Sequence, residues 1–149
     1  MASDNIKVSG KATDLSPRMV SSSTVVGSPA TNAETVVCQI TGLAADIPVM
    51  SGVFLSGVAS FTVGTSGTAV TLRIRTGTSA GAGTVVATSG ALTGGVSAGN
   101  LLSQDLQGFD SAVTGGGSPG TTSYCLTLTV TGGAATSTVS QTNLFAIVV

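Results

Sequence analysis

Alternation broken by glycine constrains this chain more than any other feature. From residue 69 to 76 it reads Ala-Val-Thr-Leu-Arg-Ile-Arg-Thr, which puts Val70, Leu72 and Ile74 on one side of an extended segment. Thr71, Arg73 and Arg75 take the other side. Val53, Leu55, Ala59, Phe61 and Val63 alternate in the same way with Phe54, Ser56, Val58, Ser60 and Thr62. So do Tyr124, Leu126, Leu128 and Val130 with Cys125, Thr127 and Thr129. Val36, Cys38 and Ile40 are expected to share a face opposite Thr35, Val37 and Gln39.

Turn signals separate these runs, among them Gly64-Thr65-Ser66-Gly67, the small-residue loop Gly77 to Gly83, the Gly115 to Gly120 stretch and Gly132-Gly133. Further strands are expected at Thr84 to Thr88, within Val96 to Phe109, at Ser137 to Gln141 and at Leu144 to Val149. In the 96–109 segment Leu102 and Leu106 point inward beside Gln104. The final apolar run is expected to lie within a sheet, since free it would be an aggregation-prone edge. Short β-branched segments with no helical periodicity indicate a sandwich or barrel, and the fold expected is an all-β, single-domain antiparallel β-sandwich.

The first 32 residues differ. They hold Asp4, Lys7, Lys11, Asp14 and Arg18, five of the eleven charges in the chain, together with Pro17, Pro29 and three successive serines. No apolar period is sustained there, so residues 1–32 read as an extended N-terminal arm and 33–149 as the sandwich. A frayed tail fits that composition equally well.

Only 7% of residues are charged, against about 25% in an average soluble protein. The hydrophobic share of 42% excludes disorder as the explanation. Soluble monomers keep a charged, mixed surface, so much of this one is expected to be covered by further subunits. The alternative is a monomer solvated by its Ser and Thr hydroxyls. A net charge of −1 gives no field to attract nucleic acid or an acidic membrane. With one Tyr, four Phe and no Trp, stacking on single strands is not expected either. Residues 1–5 are polar with no apolar run behind them, and Pro48 with its Ser, Thr and Gly neighbours breaks the longest uncharged stretch. Neither a secretory signal nor a membrane helix is expected.

With no histidine, no Ser-His-Asp or Cys-His arrangement can be built. Cys38 and Cys125 are too few for a closed zinc site, and a chain made in a reducing compartment keeps such a pair as thiols. The 77–84 loop looks like a phosphate loop but lacks the lysine and joins strand to strand. Asp105 and Asp110, the one close acidic pair of the strand region, read as solvated or ion-paired carboxylates. No catalytic residue, metal, cofactor or small-molecule substrate is expected. Arg73 and Arg75 read either as a solvated strand face or as a clamp between subunits, with Asp105, Asp110 or an acidic residue of a neighbour's arm as partner.

The arm from Asp4 to Pro29, the Gly/Thr-rich strands Val53 to Val63, Ala69 to Thr76 and Tyr124 to Val130, and the C-terminal strand together resemble the jelly-roll decoration (cement) proteins of tailed bacteriophage capsids. The resemblance is architectural and rests on no diagnostic motif. It implies a jelly-roll-like sandwich, a homo-oligomer with a trimer favoured, and a virion location. It also implies binding to the major capsid protein or another virion protein. The arm would dock through Ile6, Val8, Leu15, Met19 and Val20, with Lys7, Lys11 and Arg18 beside them. Two further readings stay open: a receptor- or glycan-binding tail-fibre or adhesin module, and a self-assembling shell, tube or filament subunit.

Overall fold

A computed structural model describes residues 19–22, 29–30, 32–44, 52–64, 68–92, 98–111, 121–132 and 138–149. The described residues form eight strands: β1 (Met19–Ser22), β2 (Glu34–Ala44), β3 (Val53–Thr62), β4 (Ala69–Thr76), β5 (Val85–Thr88), β6 (Leu101–Asp110), β7 (Thr121–Thr131) and β8 (Thr138–Val148). They pair antiparallel in two four-stranded sheets, ordered β1-β8-β3-β6 and β2-β7-β4-β5. The chain crosses repeatedly from one sheet to the other, and eight strands in this order make a jelly roll.

Alternation explains the core. Along β3 every second residue is buried, and Val70, Leu72 and Ile74 of β4 face it across the sandwich. Tyr124, Leu126, Leu128 and Val130 of the central strand β7 complete the layer, with Phe61, Leu55 and Leu144 among the fully buried side chains. Gly57 faces this layer, and a Cβ there would stand 2.7 Å from Leu126 Cδ1, so the position suits glycine. Thr142 Oγ1 of β8 crosses between the sheets to donate to the Val37 carbonyl at 3.1 Å. Gln104 Nε2 of β6 donates to the Gly90 carbonyl at 2.7 Å.

The open sides of the sandwich are closed differently. On one, the Cys38 thiol of β2 donates to the Ser22 carbonyl of β1 at 3.1 Å. On the other, β6 lies so close to β5 that a Cβ on Gly108 would come within 2.8 Å of Ala87 Cβ. Cys38 and Cys125 are both buried free thiols.

Four expectations about the strands change. Register slips between Val36 and Cys38 and again between Ile40 and Leu43 mark bulges in β2, an edge strand of its sheet. Val37 therefore goes inward beside Cys38 and Ile40, while Val36 stays half-buried. An extra residue in one strand reverses the faces downstream of it, and bulges also blunt an exposed edge. The two short C-terminal strands are one, Thr138–Val148, with a register shift opposite Ser60/Phe61. The strand expected within 96–109 is Leu101–Asp110, preceded by a turn with Gly99 at φ 85°. Within the tract read as an arm, Met19–Ser22 is a strand of the sandwich, paired with β8 from Met19↔Ile147 to Ser22↔Leu144.

Candidate functional site

The two sheets present outer faces of opposite chemistry. On the β2-β7-β4-β5 sheet the charges are tied down within the chain. Arg75 forks onto Glu34, Nε to Oε1 at 2.6 Å and Nη2 to Oε2 at 2.8 Å, and its Nη1 donates to the Gly83 carbonyl at 3.2 Å. Thr127 Oγ1 donates to the same Glu34 carboxylate, and Arg73 Nη1 donates to Thr129 Oγ1 at 3.0 Å. The Glu34 and Arg75 side chains are 15% and 14% exposed, which makes this a largely desolvated, two-pronged pair. The Arg75 fork holds the Glu34 carboxyl below its ordinary range, against the opposing pull of burial, with help from Thr127. The same bond raises the Arg75 guanidinium. Thr127 within this network and Cys125 beside it on β7 are fully buried, and burial pushes the Cys125 thiol up.

Neither Asp105 nor Asp110 is the partner of these arginines. Both lie on β6, in the other sheet. Asp105 is exposed, whereas Asp110 is buried and accepts from Tyr124 Oη at 2.9 Å. Burial and that bond raise the Tyr124 phenol far above its ordinary value. The actual partner, Glu34, sits two strands from Arg75 across β7, so nothing short of the strand order reveals the pair.

The outer face of the β1-β8-β3-β6 sheet is different. Phe54 of β3 stands between Ile147 of β8 and Phe109 of β6, and in the next outward row Ser56 stands between Phe145 and Gln107. Val58 follows, between Asn143 and Asp105. All of these alternate with the buried positions of their strands, so they point away from the core. Three of the four phenylalanines thus face outward, and Phe109 is 49% exposed. The Phe109 ring lies over Gly52, where a Cβ would come within 2.6 Å of Cζ and 2.5 Å of the Asp110 carbonyl oxygen. Toward the other end the face turns to hydroxyls and amides: Ser60 Oγ donates to Ser103 Oγ at 3.2 Å, with exposed Gln141 close by. Contiguous outward apolar rows of this kind mark interaction surfaces more often than solvated ones.

A half-open groove of about 300 Å³ lies at the β5–β6 corner, between Thr76, Thr84, Val85 and Val86 on one side and Phe109, Asp110 and Ser111 on the other. Among the described residues no three His, Cys, Asp or Glu side chains gather as metal ligands would. Among them, too, no helix is long and apolar enough to cross a membrane.

Of the residues singled out from the sequence, Arg73 and Arg75 sit on the internally paired face, and the backbones of Met19 and Val20 pair with Ile147 and Ala146. Ile6, Lys7, Val8, Lys11, Leu15 and Arg18 lie outside the described residues. The outward row of Phe54, Phe109, Phe145 and Ile147 was not singled out. Its signal was present: each of these residues sits out of phase with the core-facing positions of its own strand.

No protein-family model matches the chain, and no curated protein matches it. Solved structures of infectious bursal disease virus are similar to it in strand layout. The Gx strain matches at 17% identity with a TM-score of 0.46 over 87% of this chain, and the Gt strain at 18% and 0.45 over 87%. A mutant VP2 protein of that virus, in derived T=1 particles, matches at 16% and 0.47 over 88%. In each case the match covers 32% of the viral chain, so this chain spans about a third of those proteins.

Proposed function

We propose that the chain is a non-enzymatic virion structural protein that decorates and stabilises a capsid shell through subunit contacts and an N-terminal docking arm. The observation that carries this reading is the outward row of Phe54, Phe109, Phe145 and Ile147 on a sandwich whose core is already full. Phe109 is about half exposed and the other three are partly exposed, so covering the apolar area they leave in water would gain roughly 25 cal/mol per Å². A second surface lying on them recovers part of that. The 7% of charged residues fits the same picture, since few charges have to be desolvated when subunits meet. Many weak contacts, repeated over a lattice, add up to firm attachment.

The test is native mass by light scattering across a range of concentrations, for the full chain and for Phe54→Ser. A discrete homo-oligomer, a trimer in the favoured case, that dissociates in the variant supports the proposal. Open-ended species would mean a shell or filament subunit instead. A monomer that is indifferent to Phe54→Ser and does not bind capsid shells would refute it.

A further inference from the structure

We infer that the apolar row on the β1-β8-β3-β6 sheet receives the N-terminal segment of a second copy of this chain, with Asp105 as the anchor for one of its cations. The inference rests on the assembly reading above and adds to it the occupant and its register.

Charge is the first support. Residues 1–18 carry Lys7, Lys11 and Arg18 against Asp4 and Asp14, a net of 3 − 2 = +1. Residues 19–149 carry Arg73 and Arg75 against Glu34, Asp46, Asp105 and Asp110, a net of 2 − 4 = −2, and the two sums give the −1 of the whole chain. Arg75 is committed to Glu34, which leaves the body's described cations no role on the opposite sheet. Asp105 is the one acidic side chain of the described outward rows, exposed beside Val58, one row along from Ser56 and Phe145.

Spacing is the second support. Successive outward rows of a sheet stand about 7 Å apart, as do alternate residues of an extended segment laid over them. Ile6 and Val8 alternate around Lys7, so they match the row of Phe54 and the row of Phe145. The Asp105 row is the next one along. At that spacing Gly10 falls on the Asp105 row, which brings Lys11 within about one residue of the carboxylate. Gly10 presents no side chain that would block the approach.

Reach allows a second copy to supply the segment. In β1 the chain enters the sheet at Met19, opposite Ile147, at the end of the sheet that carries the apolar row, running antiparallel to β8. Eighteen extended residues span about 60 Å, and a domain of this length has a radius of gyration of about 15 Å. The segment is long enough to lie across a neighbour's face.

Full-length Val8→Cys and Ser56→Cys proteins, mixed and gently oxidised, test this on a non-reducing gel. The native Cys38 and Cys125 are buried and stay out of the reaction. The expected result is a covalent dimer in the mixture, above the level in either protein alone. Adding Asp105→Lys to the Ser56→Cys protein should lower its yield about fivefold. Two results overturn the inference. One is cross-linking confined to a single chain in a Val8→Cys/Ser56→Cys double variant, which would place each arm on its own body. The other is an oligomeric native mass with no dimer in the mixture, which would leave the assembly reading standing and the occupant wrong. A monomeric native mass would remove the assembly reading itself.

Discussion

The two outer faces of this sandwich are built from the same strand alternation and serve different ends. On the β2-β7-β4-β5 sheet, Glu34, Arg75, Thr127, Arg73 and Thr129 satisfy one another within the chain, and the central strand beneath them is buried on both sides. On the β1-β8-β3-β6 sheet the central strand β3 has only one buried side, and its other side offers Phe54 and Val58 to whatever lies above. A face whose charged groups are bonded within the chain gives a newcomer little to bind. A face with partly exposed apolar rows gains from being covered. Fold stability therefore draws on the first face, and the association proposed above would use the second.

Breaking the fork is the strongest way to test that division. Glu34→Ala leaves the Arg75 guanidinium largely buried without its carboxylate, and Thr127 loses its acceptor. The expected cost is roughly 3 kcal/mol. For a chain of this size that lowers the thermal midpoint by about 6–12 °C, with the native mass of the folded fraction unchanged. A double variant, Glu34→Met with Arg75→Leu, should recover most of the loss, because removing both charges leaves neither one stranded. A change in native mass at temperatures where the variant is folded would erase the distinction between the faces.

Phe54→Ser is expected to show the reverse pattern. The side chain is only half-buried and lies outside the core, so unfolding should shift by about 1 kcal/mol or less. Association should weaken about tenfold, since an aromatic group central to an interface is worth more than about 1 kcal/mol on truncation. Sedimentation equilibrium beside a urea titration separates the two effects.

The division also has a pH signature. The Glu34 carboxyl lies below its ordinary 4.5 in the folded state, so the unfolded chain binds more protons in acid. The stability it confers is present above about pH 4.5 and is lost as pH falls through the lower folded value. The buried Cys125 thiol and Tyr124 phenol are shifted up from 9.0 and 10.0. Their contribution is present below those values and is lost as pH rises toward the folded ones. Thermal midpoints should hold a plateau between these limits and fall outside it. In Glu34→Ala the acid limb should flatten, whereas in Phe54→Ser it should persist.

How much of this was legible in the chain follows from physics. β3 and β4 could be read directly because one core face imposes a period of two over ten and eight residues. β2 misled because its bulges depend on pairing with β7, a partner some 90 residues away that local alternation does not register. The single strand β8 looked like two because Thr142, polar yet inward, breaks the apolar pattern, and its hydroxyl donates to the Val37 carbonyl in the opposite sheet. The Arg75–Glu34 fork spans three strands and needs the sheet order. The apolar row was visible strand by strand, as Phe54 with Val58 and as Phe145 with Ile147. Only the register of β3 on β8 and β6 joins those pieces into one surface.

The smallest expected effect bears on where the association surface ends. Ser60 and Ser103 face each other at the hydroxyl-rich end of the outward face, exposed and joined by one 3.2 Å bond. An exposed hydroxyl pair exchanges with water at almost no net gain, so Ser103→Ala should move the unfolding free energy by less than about 0.5 kcal/mol. If the contact surface is centred on the phenylalanine rows, this serine lies at its rim, where truncation is close to neutral and association should change less than about twofold. If Ser103→Ala weakened association as much as Phe54→Ser, the contact would cover the whole sheet and the apolar rows would lose their special standing. Lysine at the same position sharpens the test. Ser103→Lys places a long cation where solvent is expected, so a rim tolerates it and a covered centre does not.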